Sequence, residues 1–201
     1  MKYQDNISAI VKCKPDFIGF IFYPGSPRFI DNHRTNCILE EDKSSQTVGV
    51  FVNSDLNLVI ETVQNLQLDY VQLHGNESAL YVAKLKEADC KIIKAFQMID
   101  NFEWARLNEF TENISYFLFD TPSEKYGGSG SRFNWKKLRQ YKENKGFFLS
   151  GGIAFNDLDD IRNSDIPEPY CIDINSMFEI EPGVKDAALV DIFIKKVKTK
   201  I

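Results

Sequence analysis

The chain has 201 residues, of which 43% are hydrophobic and 26% are charged, and its net charge is −5. This length and composition predict one globular domain, residues 1–201, with a sizeable hydrophobic core. The negative charge and the lack of a basic stripe argue against nucleic acid as a partner, and no apolar run is long enough to predict a membrane span.

The first residues and the cysteines indicate neither export nor a metal site. Met1 is followed by polar residues instead of an apolar signal segment, so we expect a cytoplasmic protein. The four cysteines are far apart and form no C-x-x-C pair, which favours reduced thiols that mostly pack in the core. Two histidines are too few for a His-rich metal site, and we expect no metal and no cofactor.

Seven short apolar runs recur along the chain and predict the strands of a sheet. They are residues 17–22, 48–52, 70–74, 91–96, 116–120, 147–150 and 170–174. Nearly continuous hydrophobic runs are typical of parallel strands that are covered on both faces.

Segments with apolar residues at helical spacing lie between these runs, and one precedes the first run. They are residues 6–11, 56–63, 80–85, 102–110, 135–141, 158–161 and 187–197, and Ser54 is the predicted N-cap of the second. Alternating strands and helices indicate an α/β fold with a parallel sheet. A closed (β/α)8 TIM barrel needs eight strands. The chain is therefore predicted to be such a barrel, truncated at its N-terminus, with seven of the eight strands.

Functional groups of a parallel barrel collect at the carboxyl ends of its strands. Asp120 ends the fifth run ahead of a Gly/Ser-rich segment, and it is either a catalytic acid or an aspartate that caps a turn. His74 ends the third run, where it is either structural or directed over the barrel mouth. Arg28 follows the first run, where it either binds a carboxylate through two hydrogen bonds or lies on the surface.

The last two predicted strands end in residues that favour a phosphate site. Gly151 and Gly152 follow the sixth run, and two glycines allow backbone N–H groups to approach an anion closely. Asp173, Asn175 and Ser176 end or follow the seventh run. In a complete barrel these would be strands seven and eight, where barrels commonly bind phosphate. We expect a small phosphorylated, acid-bearing substrate.

Seven sequence blocks carry a resemblance to a known family. They are FIGFIFYPGSPRF, VGVFVN, VQLHGNES, IIKAF, FLFDTPSEKYGGSGSRFNW, FLSGGI and IDINSMFEIEPGVKD. In this order they resemble the phosphoribosylanthranilate isomerases of tryptophan biosynthesis. The resemblance implies a (β/α)8 barrel that converts N-(5-phosphoribosyl)anthranilate to 1-(2-carboxyphenylamino)-1-deoxyribulose 5-phosphate. This conversion is an Amadori rearrangement that needs no cofactor.

The resemblance also implies a role for each polar residue at the strand ends. Asp120 matches the general acid that protonates the furanose ring oxygen. Arg28 matches the arginine that holds the anthranilate carboxylate, and His74 matches a histidine near the substrate. Segment 127–132 is similar to the family's flexible loop over the site. The residues that match the phosphate loops, with Asp173 beside them, are Gly151, Gly152, Asn175 and Ser176.

The chain departs from the family pattern at the first strand. The family begins with K-[IV]-C-G-[ILM], whose cysteine takes the proton from C2, and Met1 falls at the last position of that motif. Cys13, Cys37, Cys90 and Cys171 do not replace this base by motif. We therefore expect impaired activity. A start codon assigned too late, a shortened inactive paralogue, and a segment from elsewhere that fills the gap all stay open as explanations.

Other functions remain as alternatives to this isomerase. A non-catalytic phosphometabolite-binding barrel would bind a product analogue without turnover. An epimerase is disfavoured because metal ligands do not cluster, and a tryptophan synthase α-chain is disfavoured by the single acid and the PGSPRF loop. The chain is expected to be a monomer or a homodimer.

Overall fold

The computed structural model describes residues 1–31, 44–122 and 132–199. Cys37 and the predicted loop at 127–131 lie outside the described residues. One sheet contains the seven predicted strands. They are β1 (Phe17–Ile21), β2 (Gln46–Phe51), β3 (Tyr70–Leu73), β4 (Ile92–Gln97), β5 (Tyr116–Asp120), β6 (Phe147–Leu149) and β7 (Cys171–Ile172).

The strands follow one another in the sheet in chain order, and every neighbouring pair is parallel. The predicted α/β architecture with seven parallel strands is therefore confirmed. Most strand ends differ from the prediction by one or two residues. The largest difference is at β7, which has two residues where 170–174 was predicted.

Five of the predicted helical segments are α-helices. They are α1 (Gln4–Lys12), α2 (Leu56–Leu66), α3 (Ala79–Glu87), α4 (Asp157–Asn163) and α5 (Ala187–Lys198). Within the described ranges, no helix is both long enough and apolar enough to span a membrane. An antiparallel hairpin, β8 (Glu179–Glu181) with β9 (Val184–Lys185), was not predicted.

Two helical segments were predicted wrongly. The 102–110 and 135–141 segments form short 3-10 turns, Trp104–Glu109, Thr111–Asn113 and Trp135–Gln140. Segments this short gain little from helix propagation, so tertiary packing decides their form. The ring of Trp104 packs 5.8 Å from that of Phe119 on β5, which fixes the first turn against the sheet.

The predicted N-cap of α2 is also corrected. Asp55, not Ser54, caps this helix, because its Oδ1 accepts hydrogen bonds from the backbone N–H groups of Asn57 (2.9 Å) and Leu58 (3.2 Å). A carboxylate at this position satisfies amides that have no partner within the helix and also interacts favourably with the helix dipole.

Aromatic side chains show how far the sheet curves. The ring of Phe17 on β1 packs 4.9 Å from Phe148 on β6 and 6.4 Å from Tyr170, just before β7. Because β1 and β7 are the two ends of the sheet, these contacts require the sheet to curl until its ends face each other. The aromatic rings therefore fill the interior of a barrel-like sheet.

A cavity separates the two edge strands. Among the described strands, β1 and β7 each pair with only one neighbour. Gly19 in the middle of β1 is exposed, and both residues of β7 are only half-buried. The cavity has a volume of about 1070 Å³ and continues to the carboxyl ends of the strands. Its apolar lining from α1, α4 and α5 includes Ile10, Leu158, Ile161, Val190, Phe193 and Val197.

A buried ion pair ties together the ends of three strands. Lys94 on β4 faces the helices, because its neighbours Ile93 and Ala95 face the barrel interior. Its Nζ donates to Glu77 Oε2 at 2.8 Å, and both side chains are 2% exposed. Glu77 also accepts the backbone N–H groups of Asn53 and Gly75. Burial lowers the pKa of Lys94, and Glu77 partly offsets this effect.

Lys94→Met should therefore destabilise the protein by about 3–5 kcal/mol, because it leaves the Glu77 carboxylate buried without its cation. The matched control is Lys195→Met, which breaks the exposed pair of Lys195 with Asp191 and should change the stability far less. Urea denaturation gives both free energies of unfolding. Similar values for the two variants would contradict the structural role of the buried pair.

Candidate active site

The structure brings two predicted site residues into direct contact. Asp120 is the last residue of β5, and His74 follows β3. Nε2 of His74 lies 3.0 Å from Oδ2 of Asp120. Oδ1 of Asp120 accepts the backbone N–H of Thr121 at 2.7 Å. Both side chains line the cavity and are only 14% and 16% exposed, so the pair is largely screened from bulk water.

Gln72 extends this pair and was missed in the sequence. Its Nε2 lies 2.9 Å from Nδ1 of His74. Gln72 and His74 are two residues apart, so their side chains project from the same face of the strand. From this spacing, the sequence could have predicted that the side chain of Gln72 lies beside that of His74.

A second carboxyl group lies in the same cavity. Asp173 follows β7, and its Oδ2 accepts a hydrogen bond from Ser150 Oγ at 2.8 Å. Burial raises the pKa of Asp173, the bond from Ser150 opposes this shift, and the charge of Asp120 adds to it. The two carboxyl groups are therefore close enough to influence each other.

The predicted phosphate residues line this cavity as well. Gly151 and Gly152 have φ values of +96° and +65°, which side chains rarely allow. A Cβ atom at Gly151 would lie 2.2 Å from Thr121 Oγ1 and 2.9 Å from Asp120 Oδ1. Position 151 thus requires glycine both for its backbone conformation and for space beside the acid. Asn175 and Ser176 enter the cavity after β7.

Arg28 has a carboxylate partner within the protein. Its Nε and Nη2 donate to Oε2 of Glu179 at 2.9 and 2.6 Å. Arg28 is 7% exposed and is absent from the described residues that line the cavity. The structure therefore places this predicted carboxylate-binding residue beside the cavity, in an ion pair.

Glu179 and Lys185 from the β8–β9 hairpin were not predicted as site residues. Lys185 Nζ donates to Glu179 Oε1 at 2.9 Å and to the backbone oxygen of Asn175 at 3.1 Å. Burial alone would raise the pKa of Glu179, but hydrogen bonds from Arg28 and Lys185 outweigh it and lower the value to about 2. The hairpin thus connects Arg28 to the predicted phosphate residues.

The described cysteines do not join the Asp120–His74 pair. Cys13 follows α1, and Cys90 precedes β4. Cys171 lines the cavity but lies at the start of β7, the opposite end of this strand from Asp173. Burial raises the pKa of all three thiols, which disfavours the reactive thiolate.

Comparison with known proteins identifies the family. The family model described as N-(5'phosphoribosyl)anthranilate (PRA) isomerase matches residues 1–196. The chain belongs to this isomerase family. A relative from Parabacteroides distasonis, named N-(5'-phosphoribosyl)anthranilate isomerase, is 40% identical over 199 residues. The match covers 98% of this chain and 90% of the relative. The resemblance stated from the sequence blocks is therefore confirmed.

Solved structures of phosphoribosylanthranilate isomerases have the same fold. The enzyme from Thermotoga maritima superposes with a TM-score of 0.87 at 30% identity, covering 98% of this chain and 95% of that one. An isomerase in complex with reduced 1-(o-carboxyphenylamino)-1-deoxyribulose 5-phosphate has a TM-score of 0.82 at 29% identity, with coverages of 98% and 94%.

The lowered pKa of Glu179 predicts a specific acid sensitivity. Its folded-state value of about 2 lies below the ordinary 4.5, so the stabilisation is complete above pH 4.5 and is lost as the pH falls towards 2. The shift corresponds to about 3 kcal/mol. Urea unfolding gives the free energies of unfolding of the wild type and of Glu179→Gln. The difference between them should shrink by roughly 3 kcal/mol as the pH falls from 4.5 to about 2. A pH-independent difference would refute the role of the Glu179 charge.

Proposed function

We propose that this chain isomerises N-(5-phosphoribosyl)anthranilate to 1-(2-carboxyphenylamino)-1-deoxyribulose 5-phosphate in tryptophan biosynthesis. The observation that carries the proposal is that the Asp120–His74 pair lines the same cavity as the glycines that follow β6, in a member of this family. The rearrangement opens the furanose ring and transfers protons without an external oxidant or reductant, and it needs no cofactor. We place this step in the cytoplasm.

The cavity lining supports a binding mode for the phosphorylated substrate. The backbone N–H groups at Gly151 and Gly152, together with Asn175 and Ser176, would hold the phosphate at the ends of β6 and β7. Arg28 would hold the anthranilate carboxylate with the N–H groups that Glu179 does not use. Because Glu179 fixes the guanidinium plane through Nε and Nη2, the arginine is oriented before the substrate arrives.

Asp120 would act as the general acid. Its proton passes to the furanose ring oxygen while the bond from this oxygen to C1 breaks, and the anthranilate nitrogen becomes a protonated imine. A base then removes the proton from C2, and the resulting enol becomes the ketone of the product. One proton enters at the ring oxygen and one leaves from C2. The partly buried position of Asp120 limits exchange of its proton with water.

We further propose that the sheet is a TIM barrel short of its first strand and that residues 1–201 alone are a weak isomerase. Two parallel edges face one cavity, so a single parallel strand could pair with both. A five-residue strand would extend roughly 16 Å and cover the apolar faces of α1 and α5. Such a strand would also supply the base that the described cysteines do not. Lack of the base should cost about 10²–10⁴-fold in rate.

An N-terminal extension ending in Lys-Ile-Cys-Gly directly before Met1 should therefore raise kcat/KM by about 10²-fold or more. The measurement is the loss of substrate fluorescence. The matched control carries Lys-Ile-Ala-Gly, which fills the gap without a thiol. It should restore stability but not activity.

Three results would count against these proposals. Equal activity of residues 1–201 and the cysteine-extended chain would refute the impairment. Within the extended chain, Asp120→Asn should lower kcat by about 10²–10⁴-fold, and an unchanged kcat would refute the role of Asp120. If the extended chain binds a product analogue in calorimetry but turns nothing over, the non-catalytic binding barrel gains support.

The substrate is the only partner that this function requires. Unpaired sheet edges promote association, and monomer and homodimer are distinguished by light scattering of residues 1–201 before and after the extension.

A further inference from the structure

Gln72, His74 and Asp120 form a line of hydrogen-bonding groups across the barrel mouth. The amide nitrogen of Gln72 lies 2.9 Å from Nδ1 of His74, and Nε2 of the same ring lies 3.0 Å from Asp120 Oδ2. Gln72 is 8% exposed, and the other two side chains are nearly as buried. Bulk water therefore supplies few alternative partners for the ring.

The amide nitrogen can only donate, and this fixes the tautomer of the ring. Nδ1 must accept the bond and carries no proton, so the neutral ring carries its proton on Nε2. Nε2–H then donates to Oδ2 of Asp120, while Oδ1 accepts the backbone N–H of Thr121, so both oxygens accept, as those of a carboxylate do. In this arrangement the His74–Asp120 pair holds one proton, as it would after Asp120 has given a proton to the substrate.

A pair that holds two protons requires a different tautomer or protonation state of the His74 ring. With one more proton, His74 is either an imidazolium beside the Asp120 carboxylate or a ring that accepts a hydrogen bond from protonated Asp120. In both cases Nδ1 carries a hydrogen and needs an acceptor. The amide oxygen of Gln72 supplies this acceptor when the amide group rotates by half a turn, which exchanges the positions of its oxygen and nitrogen.

We propose that Gln72 is a positioning residue whose amide orientation is coupled to the number of protons on the His74–Asp120 pair. The amide nitrogen faces Nδ1 when the pair holds one proton, and the amide oxygen faces Nδ1 when the pair holds two. After Asp120 has given its proton to the substrate, the pair again holds one proton, which is the number in the observed arrangement. The inference rests on the acid role proposed above for Asp120.

The surrounding charges explain why a neutral side chain suits position 72. Asp173 interacts electrostatically with both Asp120 and His74, and Lys185 partly balances it. Lys94 and Glu77 neutralise each other on the helix side of the sheet. A third carboxylate in the mouth would favour the protonated ring over the neutral one. Glutamine instead offers either a donor or an acceptor without adding charge.

Nitrogen-15 NMR of the chain labelled in histidine tests this proposal without turnover. The chain has two histidines, so His33→Gln leaves His74 as the only imidazole. Above neutral pH, Nε2 should be protonated and Nδ1 bare. Gln72→Glu places a fixed acceptor beside Nδ1 with little change in volume. It should raise the midpoint of ring protonation by about one pH unit, because charge-assisted hydrogen bonds are stronger.

Gln72→Met is the matched control, since it keeps the length of the side chain but forms no such hydrogen bond. Its midpoint should fall below that of the wild type, because the charged ring loses its acceptor. The midpoint of His74 ring protonation should be highest in Gln72→Glu, intermediate in the wild type and lowest in Gln72→Met. If Gln72→Glu does not fold, Gln72→Met alone tests the proposal. Equal midpoints for Met and wild type, or an Nδ1–H ring in the wild type at high pH, would overturn it. Neither result depends on isomerase activity.

Discussion

Parallel alignment of the seven strands is the constraint on which the site depends. Strands that all run in one direction end at the same edge of the sheet, and curvature of the sheet then brings those ends around one cavity. Asp120 and His74 are 46 residues apart in the chain, yet they form a hydrogen bond because β5 and β3 end together. The catalytic proposal follows from this geometry.

Several buried charges at the mouth and behind the sheet are paired within the protein before any substrate binds. Glu179 is shared by Arg28 and Lys185, and Glu77 is paired with Lys94 behind the sheet. A buried carboxylate without such partners would cost several kcal/mol. The pair with Glu179 also orients Arg28, because a guanidinium donates its hydrogen bonds in a fixed plane.

The strands and several site residues could be predicted because their signals lie in neighbouring residues of the sequence. The seven apolar runs are nearly continuous, as strands covered on both faces must be. Asp120 and His74 could be placed because each polar residue directly ends such a run. Gly151 and Gly152 could be placed because two glycines directly after a strand allow backbone N–H groups to approach an anion. The structure adds that both have a positive φ. These signals lie within a few residues of the site residue itself.

The remaining features depend on distant parts of the chain. Glu179 meets Arg28 across 151 residues. Pro182-Gly183 is a turn signal, but β8 and β9 have only three and two residues, too few to predict as strands. The 3-10 turn beginning at Trp104 forms because its ring packs on β5. Ser54 and Asp55 are adjacent and both are good N-caps, so the sequence did not distinguish them.

The most direct test of the site is a crystal structure with reduced 1-(o-carboxyphenylamino)-1-deoxyribulose 5-phosphate bound. We predict that the phosphate binds the backbone N–H groups at Gly151 and Gly152 and that the aromatic carboxylate binds Arg28. The hydroxyl derived from the ring oxygen should lie about 3 Å from the carboxyl group of Asp120. A phosphate bound away from the ends of β6 and β7, or a sugar that does not reach Asp120, would contradict this prediction.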